Sequence, residues 1–267
     1  MTPAMRRALI GAALIGVGAC LDLGGPKEGV ISISSLHLPS PSVVVGDLMR
    51  DSLGNPAPLS ITAFGPNGEE LPGEPVTFVT LDSTVRIDAD GTLHGITIDT
   101  LGARVIAGAG QLQTPPQRVI VTVAPTTATK STTSTPIQFV AETPDTTNNS
   151  NWSPGLVVTV KGAGGAAAQG YIVTYSVIES PDAQVPGTPT AYIGNDAARA
   201  MSRDTTDTKG EASRRVILRQ SAIATDVRAG TRSDTVIVSA SVKYLGADVP
   251  GSPMQFIIPV SRKPATP

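Results

Sequence analysis

Val236 to Tyr244 reads VIVSASVKY. Along an extended chain Val236, Val238, Ala240, Val242 and Tyr244 share one side, and Ser239, Ser241 and Lys243 share the other. Alternation of period two marks a strand with one buried and one wet face. The pattern recurs in YIVTYSV, residues 171–177, where Tyr171, Val173, Tyr175 and Val177 oppose Thr174 and Ser176. It recurs again in MQFIIPV, residues 254–260, through Met254, Phe256, Ile258 and Val260. From Val30 onward no stretch sustains a helical period. Short β-branched runs alternate with turn residues instead. Many such strands at regular spacing predict an all-β chain of antiparallel sandwiches.

Composition removes several functions. The chain has 267 residues, a net charge of −2 and 16% charged residues, so it lacks the basic footprint of a nucleic-acid binder. Its 40% hydrophobic content exceeds that of a disordered chain. A single cysteine makes neither an internal disulfide nor a cysteine-rich zinc site. Two histidines leave little for His-based catalysis. The length suits two domains of about 100 residues each.

The N-terminus reads as an address. Arg6 and Arg7 precede ALIGAALIGVGA, a run of 12 uncharged residues from Ala8 to Ala19. A bilayer core needs about 20 residues, so this is the core of a signal peptide rather than a membrane anchor. The run ends in Val17-Gly18-Ala19-Cys20, and Cys20 is the one cysteine of the chain. The tetrapeptide resembles a bacterial lipobox. That resemblance implies a diacylglyceryl group on the Cys20 thiol and cleavage before it, leaving residues 1–19 as signal peptide. Leu21, standing where an Asp marks inner-membrane retention, resembles the outer-membrane class, while Asp22 follows one place later. The expected location is the bacterial cell envelope, outer membrane, facing either periplasm or surface. Two acyl chains hold a protein stably on a bilayer, at about 0.8 kcal/mol per buried CH₂.

Residues 20–29 read as a short polar tether. Residues 30–123 form a first domain, closed by the strand Val119-Ile120-Val121-Thr122-Val123. Residues 124–135, with PTTATKSTTST from Pro125, show no apolar pattern and read as a Thr/Ser-rich linker. Residues 136–262 form a second domain, and 263–267 a tail. Thr143 to Pro154 reads as a long polar loop inside the second domain.

In the first domain Val45-Gly46-Asp47 is followed by Asn67-Gly68, Val76-Thr77-Phe78, VRIDADGTLHG from Val85 to Gly95, and Ala103-Arg104-Val105-Ile106-Ala107. These segments resemble the bacterial Ig-like domain of the group 2 type, with Phe78 where that family usually carries Trp. In the second domain Asp204 to Ala212, DTTDTKGEA, with Val216 and Leu218 beyond it, resembles the hairpin of the group 1, invasin- and intimin-type module. Val158-Thr159-Val160 and Val173 to Val177 match that module's paired core strands, and Pro181 to Pro189 reads as an insertion. The resemblance implies two tandem immunoglobulin-like β-sandwich domains. It brings no catalytic residues with it. Asp90-Gly91 and Asp207 to Gly210 are turn devices, in which glycine supplies a positive φ without steric cost.

The candidate chemical sites are few. Gly162-Ala163-Gly164-Gly165-Ala166-Ala167 matches a dinucleotide pattern, but the next strand starts at Tyr171 and leaves no room for the helix that would hold a phosphate. It reads as a hairpin loop. Asp82, Asp88 and Asp90 are carboxylates of a kind calcium accepts, without the spacing of an EF-hand. His37 and His94 belong to no metal or triad motif and read as edge histidines. Arg214, Arg215 and Arg219 read as an exposed strand face. Trp152, in a polar loop, is either a stacking platform for a sugar or partner or a cap on the sandwich, the cap being favoured.

The expected function is that of a lipid-anchored envelope protein whose domains act as a non-catalytic spacer or adhesion scaffold. The alternative is a carbohydrate- or peptidoglycan-binding envelope module. Neither reading needs a metal or cofactor. The expected partners are the membrane, through the lipid, and a protein of the envelope or of a host surface.

Overall fold

The structure is a computed structural model, and it describes residues 29–130, 135–139, 151–197 and 199–263. The expected signal peptide, Cys20 with Val17, Gly18 and Ala19, and the last four residues lie outside the described residues.

The first domain contains β1 (Ser32–Ile33), β2 (Ser42–Val44), β3 (Ala63–Phe64), β4 (Val76–Thr80), β5 (Val85–Ile87), β6 (Leu93–Gly95), β7 (Asp99–Ala109), β8 (Leu112–Gln113) and β9 (Gln117–Thr122). Its main sheet runs β2-β9-β7-β4, with β8 folded back on β7. Opposite it lie two short pairs, β1 with β3 and β5 with β6. The core between them gathers Leu36, Val43, Met49, Leu59, Leu93, Val105 and Val119. Phe78 sits half-buried at its margin. Its ring covers the Asp90-Gly91 turn so closely that a Cβ on Gly91 would lie 3.0 Å from Phe78 Cε2 and 2.8 Å from the Leu59 carbonyl oxygen. A side chain at that turn would displace the aromatic lid.

The second domain contains β10 (Pro125–Lys130), β11 (Ile137–Phe139), β12 (Leu156–Gly162), β13 (Ile172–Glu179), β14 (Ala191–Gly194), β15 (Arg203–Thr205), β16 (Glu211–Leu218), β17 (Asp234–Tyr244), β18 (Ala247–Asp248) and β19 (Met254–Arg262). One sheet runs β10-β12-β16-β14 and the other β11-β19-β17-β13-β15. The chain crosses between sheets after β10, so that β11 lies parallel to β19, the last strand. This is an immunoglobulin-like sandwich. The alternation read in the sequence is the alternation of burial. Met254, Phe256, Ile258 and Val260 face the core, while Gln255 and Ile257 face out. Tyr175, Phe139 and Phe256 are its largest fully buried side chains.

The linker reading requires a correction. Pro125–Lys130 is not a tether but strand β10, which pairs antiparallel with β12, Ala128 opposite Val160. Its threonines are β-branched and fit a pleated edge. Only Pro125 and Ala128 turn inward, and the register slips between Pro125 and Thr127, so no period of two appears. The second domain therefore starts at its first residue after Ala124. One short helix, α1 (Thr225–Ala229), connects β16 to β17. No helix among the described residues is long and apolar enough to cross a membrane.

Candidate functional site

The two domains meet at a bonded joint. Strand β9 ends the first domain and hands the chain to β10 through Val123 and Ala124. The hairpin loop between β12 and β13 then returns to the same place. Gln169 donates its backbone N–H to Thr122 Oγ1 at 3.0 Å and its Nε2 to the Thr100 carbonyl at 3.2 Å. Ser42 Oγ donates to the Gly170 carbonyl at 2.9 Å. Tyr171 donates its hydroxyl to the Val123 carbonyl at 3.1 Å. Gly170 has φ +81°, and a Cβ there would lie 2.6 Å from Ser42 Cβ. Glycine is therefore required twice, by conformation and by space. Val44 on β2 and Val123 in the link after β9 pack against the second domain's core.

Tyr171 carries its hydroxyl on a largely buried ring, and that burial pushes its pKa upward, so it stays a neutral donor at the joint. Its ring meets Tyr244 edge to face, with centroids 6.2 Å apart and planes at 78°. The Tyr244 phenol lies beside the Asp47 carboxylate of the first domain and adds a little to the lowering of its pKa. Arg50 grips that carboxylate with two bonds of 3.0 Å. The guanidinium beside it holds Asp47 below the usual carboxylate range, against an opposing push from burial.

A cavity of about 340 Å³ opens beside this contact. Its floor is the outer face of β13, β15 and β17, where Arg203, Thr174 and Ser241 stand in one cross-strand row. Its wall is the loop around residues 39–54 of the first domain. One end closes at Ser42 and Gly170. The other closes where the turn at Gly54 meets Leu245 and Gly246 so tightly that a Cβ on Gly54 would lie 2.4 Å from the Leu245 carbonyl carbon.

The sequence-based candidates take separate places. Trp152 does not stand free. It bridges to Ile217 on β16, half-buried, with its Nε1 shielded from solvent, between the buried Asn151 and Ser153. Ser153 locks the segment down, since its N–H donates to the Val216 carbonyl and its Oγ accepts the Val216 N–H, both at 2.9 Å. The Trp152 segment is thus pinned along β16. Asp82 bonds Arg104, which holds its pKa down at about 2. Asp88 takes His94 Nε2 at 2.8 Å, and Asp90 accepts the N–H of Thr92. The three carboxylates converge on no common centre. No group of three or more potential metal ligands occurs among the described residues. Neither His37 nor His94 lines the cavity.

The arginine cluster needs correcting. Arg214 has a side chain only 11% exposed and pairs with Asp204, and its Nη2 also bonds the Arg203 carbonyl. Arg215 pairs with Asp196, and Arg219 lies over the Tyr192 ring. Arg214 shares the inward side of β16 with Ala212 and Val216 while Arg215 takes the other, and Arg219 lies beyond the strand's end, so the three are not one exposed strand face. Two features carried no local signal. One is the joint, whose bonds span up to 128 residues. The other is Arg232, which binds Asp182, Asp226 and Asp234 and ties the 181–189 segment to the body.

No protein-family model matches this chain, and no curated protein does. Solved structures do. Over 89% of this chain it is similar to the adhesin InvE of Yersinia pseudotuberculosis, with 15% identity and a TM-score of 0.33. Over 89% it is similar to the S-layer protein rSbsC, with 15% identity and a TM-score of 0.31. Over 88% it is similar to invasin, described as a bacterial integrin-binding protein, with 13% identity and a TM-score of 0.28. The matched parts make up 61%, 28% and 40% of those chains respectively. The fold assignment stands on the strand topology above.

Proposed function

We propose that this chain is a non-catalytic display scaffold of the bacterial cell envelope, held to a membrane by lipid on Cys20. The observation that carries the scaffold reading is the joint. Four cross-domain hydrogen bonds, from Ser42, Gln169 twice and Tyr171, tie the domains together beside the peptide link. A flexible pair of binding modules needs no such bonds. A spacer that transmits orientation from a membrane to a partner does. Support for the anchor is sequence alone, the uncharged run that ends at the chain's one cysteine. The partner in this reading is a protein of the envelope or of a host surface, met through loops or sheet edges.

The test expresses the full chain beside a Cys20→Ala variant and compares intact mass and membrane fractionation. Lipid mass on the wild type, with membrane association lost in the variant, supports the anchor. A soluble, cleaved, lipid-free wild type overturns it. The scaffold half is read separately, by small-angle scattering of the chain with and without Tyr171→Phe and Ser42→Ala. One stiff wild-type arrangement that loosens in the double variant supports it. A wild type already as variable as the double variant overturns it.

A further inference from the structure

The cavity at the joint has an uneven charge inventory. Its acids are committed. Asp47 is held by Arg50 and by the Leu48 N–H, and Asp51 accepts the backbone N–H groups of Leu53 and Asn55 in its own loop. Its other cations are not. Arg203 and Lys243 both line the cavity from the sheet face, both are exposed, and neither side chain makes an ion pair or hydrogen bond among the described residues. Between them lie the hydroxyls of Thr174 and Ser241, equally without a side-chain partner there. The ring of Tyr244 and the side chain of Ile172 supply an apolar strip beside the hydroxyls.

We infer that this interdomain cleft binds an acidic sugar unit, a saccharide ring carrying a carboxylate. The volume lies at the lower end of small-molecule pockets, roughly 300–1,000 Å³, and such pockets favour domain interfaces. Arg203 and Lys243 take the carboxylate as charge-assisted donors. Thr174 and Ser241 both donate and accept, which suits ring hydroxyls that do the same. Tyr244 and Ile172 take the apolar face of the ring. An acidic peptide fits the surface less well. Extended peptides gain affinity by pairing with a sheet edge, and of the floor strands, β13 and β17 are paired on both sides, while the edge strand β15 offers 3 residues, Arg203–Thr205. The assignment goes beyond the display role and stands without the anchor. It also places sugar recognition away from Trp152, which does not line the cavity.

The test is titration of the full chain with D-glucuronate, N-acetylneuraminate and neutral D-glucose, followed by NMR shifts at Arg203, Lys243 and Tyr244. An acidic sugar should saturate the chain, with glucose at least about tenfold weaker, the worth of one charge-assisted contact. An Arg203→Gln/Lys243→Gln double variant should lose the acidic preference while keeping its thermal midpoint. Four results overturn the assignment. They are no saturation by either acid at millimolar concentration, equal binding of glucose, an unchanged double variant, and saturation by a glutamate-rich hexapeptide but not by the sugars. If the double variant unfolds, the wild-type comparison of acid with glucose decides alone.

Discussion

The hydroxyl of Tyr171, in the second domain, donates to the carbonyl of Val123, the last residue but one before β10, at 3.1 Å. The bond crosses the point where one domain becomes the next. It is shielded from water on the Tyr171 side, which is 8% exposed.

Tyr171→Phe removes that donor and keeps the ring. The carbonyl of Val123 then loses a partner at a partly buried site, at a cost of about 1 kcal/mol. The apparent melting temperature should fall by roughly 2–4 °C. Calorimetry checks this, and an unchanged midpoint would mean that water replaces the phenol without cost.

Gly170 and Gly164 separate space from conformation. Both have positive φ, +81° and +67°, but a Cβ on Gly170 meets Ser42 while one on Gly164 meets nothing within 4 Å. Gly164→Ala should cost about 1 kcal/mol, the left-handed penalty alone. Gly170→Ala should exceed about 2 kcal/mol, because a clash at the joint adds to it. Denaturant unfolding of the two variants gives the comparison.

Asp47 makes the joint sensitive to acid. Its folded pKa lies below its ordinary 3.8, through the Arg50 guanidinium first. A depressed carboxylate contributes stability that is present above its unfolded pKa and lost as pH falls through the folded one. Wild type should therefore be more stable than Asp47→Asn at pH 7, and the gap should close only below about pH 4. Thermal melts of both proteins across that range measure it. A gap independent of pH would show that Asp47 acts through packing and not through charge.

Ile257 and Ile258 are neighbours with opposite fates, 51% and 1% exposed. Ile258→Ala should cost about 2–5 kcal/mol, the range for a truncated core side chain. Ile257→Ala should stay within about 1 kcal/mol. Equal losses would mean that β19 does not alternate.

The strands of the second domain were legible because every second residue of 171–177, 236–244 and 254–260 is apolar and is buried or half-buried. Strand β10 was not. Its inward residues are a proline and an alanine three apart, its threonines resemble linker composition, and a register slip erases the period. The joint was invisible for another reason. Six of the eight groups in its four bonds are backbone groups or short hydroxyls whose residue type carries no positional signal, paired across 47 to 128 residues. The arginines misled because spacing along a strand was read without its two faces. The loading of the cleft with Arg203 and Lys243 likewise arises only when β15 and β17 flank β13.

In both sandwiches an early strand runs parallel to the final one, β2 beside β9 and β11 beside β19. If such a chain is gripped at one end and tugged at the other, load reaching these pairs drives the two strands along their axes in opposite senses. The rungs of the ladder are then strained together instead of parting one after another. Antiparallel neighbours at those positions would open like a zipper. The topology therefore sets a high threshold against pulling, and that threshold is the quantity a pulling experiment on the chain would read.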